Sequence, residues 1–170
     1  MNLSIESHAG FDFVKIGFAE RCDKGIVAKF DGKEINWSAA INILDKDFLI
    51  SEQSVYIVKV EKEIKYIGVY SDTFKSRWLK AGRYFWHSEN LDNKINELIT
   101  NGKNVTFWLS IDPYMKAANT APMNISLALE YELINLLRPE WNTTHKGDNL
   151  SKKRLKVKDV VNKLSAKECA

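Results

Sequence analysis

Two tyrosines, an arginine, a lone acid and a late asparagine carry the pattern in this chain that could do chemistry. Val55-Tyr56-Ile57 and Tyr66-Ile67-Gly68 lie on two apolar β-type runs, Arg77 follows in a helical segment, and Glu130 and Asn142 come much later. A phenol activated by a nearby cation or a second phenol can accept a proton from water. A guanidinium matches phosphoryl oxygens in bidentate geometry. A single carboxylate suffices for Mg²⁺, which keeps several waters for contacts to a substrate phosphate. These residue types in this order point to metal-assisted cleavage of a phosphodiester. Each has a plainer reading alone: the tyrosines as strand packing, Arg77 as a surface charge, Glu130 as half of a structural salt bridge, and Asn142 as a turn former after a helix.

The elements that must position these groups are readable in outline. Residues 54–60 and 64–70 are rich in Val, Ile and Tyr and are separated by Glu61-Lys62-Glu63, which predicts a hairpin. A turn centred near Glu61 sets Tyr56 opposite Tyr66 on one face. Asp72 or Thr73 can cap the helix bearing Arg77. Ser88-Glu89-Asn90-Leu91 starts another helix, which Asn101-Gly102 ends. Residues 105–111 form a third strand, and residues 112–123 a loop. Asn124 caps a last helix that runs to about Leu137 and is stopped by Pro139. On that helix Leu127, Glu130, Ile134 and Leu137 share one face by the 3.6-residue period, thickened by Ile125, Leu129 and Leu133. An acid on an apolar stripe must be compensated by a cation or a donor. Upstream, the alternation in Phe11–Phe18 and in Ile26–Phe30 predicts a hairpin, and Ser38 can cap a short helix to about Leu44. Residues 1–52 thus read as a small accessory layer.

With 170 residues, 45% hydrophobic and 28% charged, the composition is that of an ordinary globular domain. The net charge of +3 permits a nucleic-acid partner without demanding one. Basic charge gathers at the end: Thr143–Ala170 holds eight Lys/Arg against three Asp/Glu, or +5 by subtraction. Cys22 and Cys169 are the only cysteines, which rules out an all-Cys zinc site and fits a reducing cytoplasm. No apolar run approaches the ~18 residues of a membrane span, and Met1–Gly10 lacks a signal-peptide core.

The ordered set resembles the GIY-YIG nuclease superfamily. The first motif stands as Ser54-Val55-Tyr56 and the second as Tyr66-Ile67-Gly68, ten positions from tyrosine to tyrosine. Arg77 takes the helix-arginine position. Glu130, Leu133-Ile134, Pro139 and Trp141-Asn142 follow the closing pattern, a register that selects Glu130 over Glu132. The resemblance covers about residues 54–145. It departs at Ser54, at Val69-Tyr70, and at Ala81, where many members carry His or Tyr; Tyr84 or His87 is the nearest substitute.

The resemblance implies an α+β fold with a small three-stranded antiparallel sheet flanked by helices. An N-terminal β-hairpin element (1–52) and a basic C-terminal extension (146–170) would be added to a core at 53–145. It implies hydrolysis of double-stranded DNA with one Mg²⁺, replaceable by Mn²⁺, bound by Glu130. Tyr56 would act as general base or orient the water, with Tyr66 in support. Arg77 would hold the scissile phosphate, and Asn142 would buttress the metal side. Lys65, Lys75, Arg83, His87, His145, Lys146, Lys152, Lys153 and Arg154 are the candidate DNA contacts, since clustered cations neutralise phosphates without reading sequence. Cutting both strands favours a two-fold homodimer by analogy. A site-specific, restriction-type endonuclease leads. A nicking enzyme of repair or phage type, an inactive DNA-binding protein and a protein-interaction domain are the alternatives.

Overall fold

The computed structural model describes residues 3–22, 28–30, 33–35, 38–78, 89–116, 118 and 121–143. Its strands are β1 (Ile5–His8), β2 (Phe11–Cys22), β3 (Ala28–Phe30), β4 (Lys33–Ile35), β5 (Ser38–Ile43), β6 (Val55–Val60), β7 (Glu63–Val69), β8 (Val105–Ser110), β9 (Tyr114–Met115) and β10 (Met123–Asn124). The helices are α1 (Phe74–Trp78), α2 (Glu89–Thr100) and α3 (Ser126–Leu137), and a 3₁₀ turn spans Lys46–Ile50.

One antiparallel sheet dominates, with strand order β1-β2-β8-β6-β7 and β5 on the same edge of β2 as β1. This corrects the expected small three-stranded sheet: the fold is α+β, but its sheet has six strands and curls into a half-barrel. The cause is β2. Its twelve residues are long enough to pair β8 on one side and both β1 and β5 on the other. The N-terminal segment therefore extends the sheet. The expected pairing of residues 11–18 with 26–30 does not form either, because β3 pairs with β4. Ser38–Ile43 is strand where a helix was expected, because six consecutive positions pair with β2 and that tertiary pairing outweighs local propensity. The β1–β2 turn, Ala9-Gly10, holds both residues at positive φ (52° and 80°), the geometry that tight hairpins favour.

An ion pair records the curl. Lys59 on β6 donates to both carboxylate oxygens of Glu6 on β1, at 2.7 and 2.6 Å, although β2 and β8 lie between them. Three strand spacings in a flat sheet would separate the two backbones by about 14 Å. The Lys59 ammonium also sits 4.9 Å from the Trp108 ring, which helps a cation whose side chain is only 9% exposed.

The sheet is covered on both faces. On one, Tyr56, Val58, Phe107 and Leu109 pack with Phe74 and Trp78 of α1 and with Leu91 and Ile95 of α2. On the other, Val55, Ile57, Ile67 and Trp108 pack against Leu129, Leu133 and Ile134 of α3. Strand alternation produces this division, since Tyr56 and Ile57 point to opposite faces. The buried stripe of α3 is Ser126-Leu129-Leu133-Ile134; Leu127 is 64% exposed and Leu137 37%, so the apolar face is rotated from the expected one. Asn124 does serve the start of α3, its Oδ1 accepting the Ser126 N–H at 2.9 Å. At the other end Arg138 adopts the left-handed conformation just before Pro139.

Candidate functional site

Tyr56, Tyr66 and Arg77 come together on the α1 face of the sheet. The hairpin register pairs Tyr56 with Gly68 and Tyr66 with Val58. The two tyrosines are therefore diagonal neighbours on one face, where direct opposition was expected. The offset is two positions: the turn closes on Val60 and Glu63, centred one half-step beyond Glu61, which supplies one, and the register irregularity between Val58 and Lys59 supplies the other. Their ring centroids are 5.9 Å apart. Thr73 and Ser76 start α1 reciprocally: Thr73 Oγ1 accepts the Ser76 N–H and Ser76 Oγ accepts the Thr73 N–H. That start aims Arg77 back at the hairpin, and its Nε–H donates to the Tyr56 hydroxyl at 3.4 Å.

Gly68 makes room for this arrangement. A Cβ there would lie 2.5 Å from the Tyr56 hydroxyl oxygen, 2.6 Å from its Cζ and 2.8 Å from Tyr66 Cε1. The Tyr56 phenol thus lies across the backbone of β7, a placement that only glycine permits. Gly68→Ala is expected to cost about 1–3 kcal/mol of stability by overpacking, read as a lowered urea midpoint. An unchanged midpoint would mean that the phenols move aside freely.

The electrostatics of the trio follow from burial. Tyr56 is 0% exposed, and this burial, reinforced by the nearby Tyr66 hydroxyl, raises its pKa well above the usual phenol value; Arg77 opposes the rise without cancelling it. Burial also works against the Arg77 charge, but Tyr56 and Tyr66 outweigh it and hold the guanidinium above its usual value. Tyr56 is thus a neutral phenol beside a fixed cation at neutral pH. A phenol whose pKa is raised by folding contributes stability that is present below its unfolded value near 10 and is lost as pH rises toward the folded value. The melting temperature is therefore expected to fall as pH rises past about 10, and to fall less in Tyr56→Phe. Equal falls in both proteins would contradict the assignment.

Asn142 is placed by the same strand. It is 4% exposed, accepts the Ile67 N–H on Oδ1 at 2.9 Å and donates Nδ2–H to the Ile67 carbonyl at 2.8 Å. Its amide thereby completes the hydrogen bonding of the open edge of β7, between Tyr66 and Gly68. Trp141 N–H adds a bond to the Lys65 carbonyl at 2.9 Å. The chain after α3 thus crosses the β7 edge, leaving the α3 face and bringing Trp141 against the Tyr56 face.

Glu130 sits on α3, half-buried and engaged with other groups. The helix packs on the sheet face opposite Tyr56, so Glu130 and the trio belong to different faces with the β7 edge between them. Its hard oxygen donor suits a one-carboxylate Mg²⁺ site completed by water and phosphate. Among the described residues no group of three or more His, Cys, Asp or Glu could hold a metal ion.

Of the other candidates, Lys65 bonds Glu63 and Glu140, each at 2.8 Å, and these bonds raise its pKa. Lys75 is exposed on α1. Arg83, His87, His145, Lys146, Lys152, Lys153 and Arg154 lie outside the described residues, as do Ala81 and Tyr84.

No family model, curated protein or solved structure matches the chain. Sequence reasoning passed over two participants. Tyr70 stacks on Tyr56 with centroids 6.4 Å apart and an interplanar angle of 25°. Trp78 meets Tyr56 edge-on at 5.4 Å. Their signals were an aromatic closing the second β run and another following Arg77 directly. No described helix is long and apolar enough to cross a membrane.

Proposed function

We propose that the chain is a Mg²⁺-dependent DNA endonuclease, distantly related through its motifs to GIY-YIG nucleases, that hydrolyses phosphodiesters at the Tyr56–Tyr66–Arg77 cluster. The observation that carries this reading is the Arg77 Nε–H bond to the Tyr56 hydroxyl, with Tyr66 on the same face and Gly68 beneath. A guanidinium has five N–H donors, so a bond to a phenol leaves others for a phosphoryl oxygen. Buried salt bridges usually pair arginine with carboxylate; here, among the described residues, phenols hold it.

Arg77 binds the scissile phosphate and donates where negative charge develops in the transition state. Tyr56, a neutral phenol at neutral pH, orients the attacking water through its oxygen in preference to standing as a phenolate. Tyr66 fixes the Tyr56 hydroxyl. Glu130, on the α3 side of the β7 edge, would hold the metal ion, which would supply positive charge to the oxygens of a phosphate bound across that edge. Asn142 keeps the β7 edge, and with it the phenols, in register. Double-stranded DNA as substrate, a homodimer and a cytoplasmic setting belong to this reading. So does a restriction-type role, with a nicking enzyme as the neighbouring possibility.

A second reading, a DNA-binding protein without catalysis, is favoured by one observation: Tyr56 is fully buried with Glu130 on the other sheet face. Incubating supercoiled and linear DNA with Mg²⁺ separates the readings. Catalysis predicts cleavage by the wild type and its loss in Glu130→Gln, with DNA binding kept. Binding without cleavage, in Mg²⁺ and in Mn²⁺, would support the second reading.

A further inference from the structure

A cavity of about 270 Å³ lies on the Tyr56 face, between the 3₁₀ turn and the loop leading into β9. Val14, Phe48 and Leu109 form its apolar walls, Ile111 and Tyr114 stand at its exposed rim, and Tyr70, Ser51 and Glu52 supply polar groups. Drug-sized ligands occupy roughly 300–1,000 Å³. This volume accepts one planar ring system and excludes a whole nucleotide.

Proton accounting fixes what such a ring must bring. Ser51 Oγ–H donates to the Phe48 carbonyl at 2.8 Å, which spends its only proton. The 2.7 Å bond between Ser51 and Tyr70 is therefore donated by the Tyr70 O–H. Glu52 accepts from the Tyr114 hydroxyl at 2.9 Å. With these protons committed, Ser51, Tyr70 and Glu52 offer acceptor lone pairs, while the Ser110 hydroxyl, which lines the same cavity and has no hydrogen-bond partner among the described residues, keeps a proton to donate. A fitting guest has an apolar flat body and an edge that carries N–H donors beside an acceptor.

We infer that this cavity is a binding pocket for a single amino-bearing heterocycle of nucleobase size. Resting on the nuclease reading, the guest is a base of the DNA strand adjoining the phosphate at Arg77. Tyr70 joins the two places: one edge of its side chain lines the cavity, and its ring stacks on Tyr56. A base taken out of its stack into such a pocket is read by hydrogen bonds to its edge and by aromatic contact. Adenine and cytosine carry an exocyclic amine beside a ring-nitrogen acceptor and fit this mixed edge; thymine, with one ring N–H, brings fewer donors to Ser51, Tyr70 and Glu52 and fits less well.

The test uses the full chain and free nucleosides, followed by methyl NMR. Adenosine and cytidine are expected to shift the Val14 and Leu109 methyl signals, thymidine more weakly, and ribose 5-phosphate not at all. Glu52→Gln, which adds a donor at the rim, is expected to weaken adenosine binding about tenfold. Ile111→Trp is expected to block it by filling the mouth. A DNA duplex carrying 2-aminopurine gives the second arm: its fluorescence is expected to change on binding wild type and not Ile111→Trp. Nucleoside shifts without that change would overturn the DNA source and leave a pocket for free nucleosides. No shift from any nucleoside would overturn the pocket itself. Shifts in a protein that cleaves no DNA would keep the pocket and sink the nuclease reading.

Discussion

Arg77→Ala lowers DNA cleavage by about 10²–10³-fold, the usual loss when one preorganised donor to a developing anion is removed. Arg77 lies on α1, held by its bond to Tyr56, and is only half-buried. The Phe74 and Trp78 contacts that anchor α1 to the sheet do not depend on it. The variant is therefore expected to fold, and the loss falls on the chemical step. Arg77→Lys recovers little, because an ammonium lacks the planar fork that grips a phosphoryl group and a phenol together. Single-turnover rates on one DNA substrate, compared at equal folded fraction, check this. A rate within twofold of wild type would make Arg77 a surface charge.

The largest expected loss of stability comes from replacing Asn142. Asn142→Ala orphans the Ile67 N–H and carbonyl on the β7 edge, both buried under Asn142. Each unsatisfied buried group costs about 1–3 kcal/mol, so the pair costs roughly 2–6 kcal/mol of the 5–15 kcal/mol that a domain has in total. Asn142→Asp keeps the acceptor for Ile67 N–H but sets a buried carboxylate oxygen against the Ile67 carbonyl, so it is expected to lose at least as much. Urea unfolding of the three proteins tests the order. A change in Asn142→Ala below about 0.5 kcal/mol, the range of ordinary surface substitutions, would show that water replaces both bonds.

The local frame of the site was legible because its parts are close in sequence. A Val/Ile/Tyr-rich hairpin with a Glu61-Lys62 turn, then a Thr73-capped helix, puts Tyr56, Tyr66 and Arg77 on one face with short connections. The diagonal tyrosine register was not legible, because it depends on an irregularity beside Lys59. The role of Asn142 was hidden for another reason. After a helix stop, asparagine reads as a turn former, and only the open edge of β7 turns its amide into a clamp.

The sheet itself was misjudged at β2 and β5. Alternation identified Phe11–Phe18 as strand, but partners are chosen by tertiary contact. β2 pairs with β8, nearly a hundred residues downstream, and not with β3, the segment expected to fold back on it. Ser38-Ala39-Ala40 carries a helix-start residue and small side chains, and pairing with Glu20–Cys22 overrides that preference. Lys59, in the middle of an apolar run, was the one sequence sign of a curled sheet, since a lysine in a core strand needs a partner such as Glu6. The two faces of the sheet separate Glu130 from the tyrosines, a relation that helix periodicity alone does not contain.

Relaxation and linearisation of supercoiled DNA in Mg²⁺ by wild type and Arg77→Ala, both shown to be folded, tests the role of the Tyr56–Tyr66–Arg77 cluster directly. Cleavage is expected from the wild type, with a loss of about two to three orders of magnitude in the variant. Cleavage that persists undiminished without Arg77, or a wild type that binds DNA and never cuts it, would contradict that role.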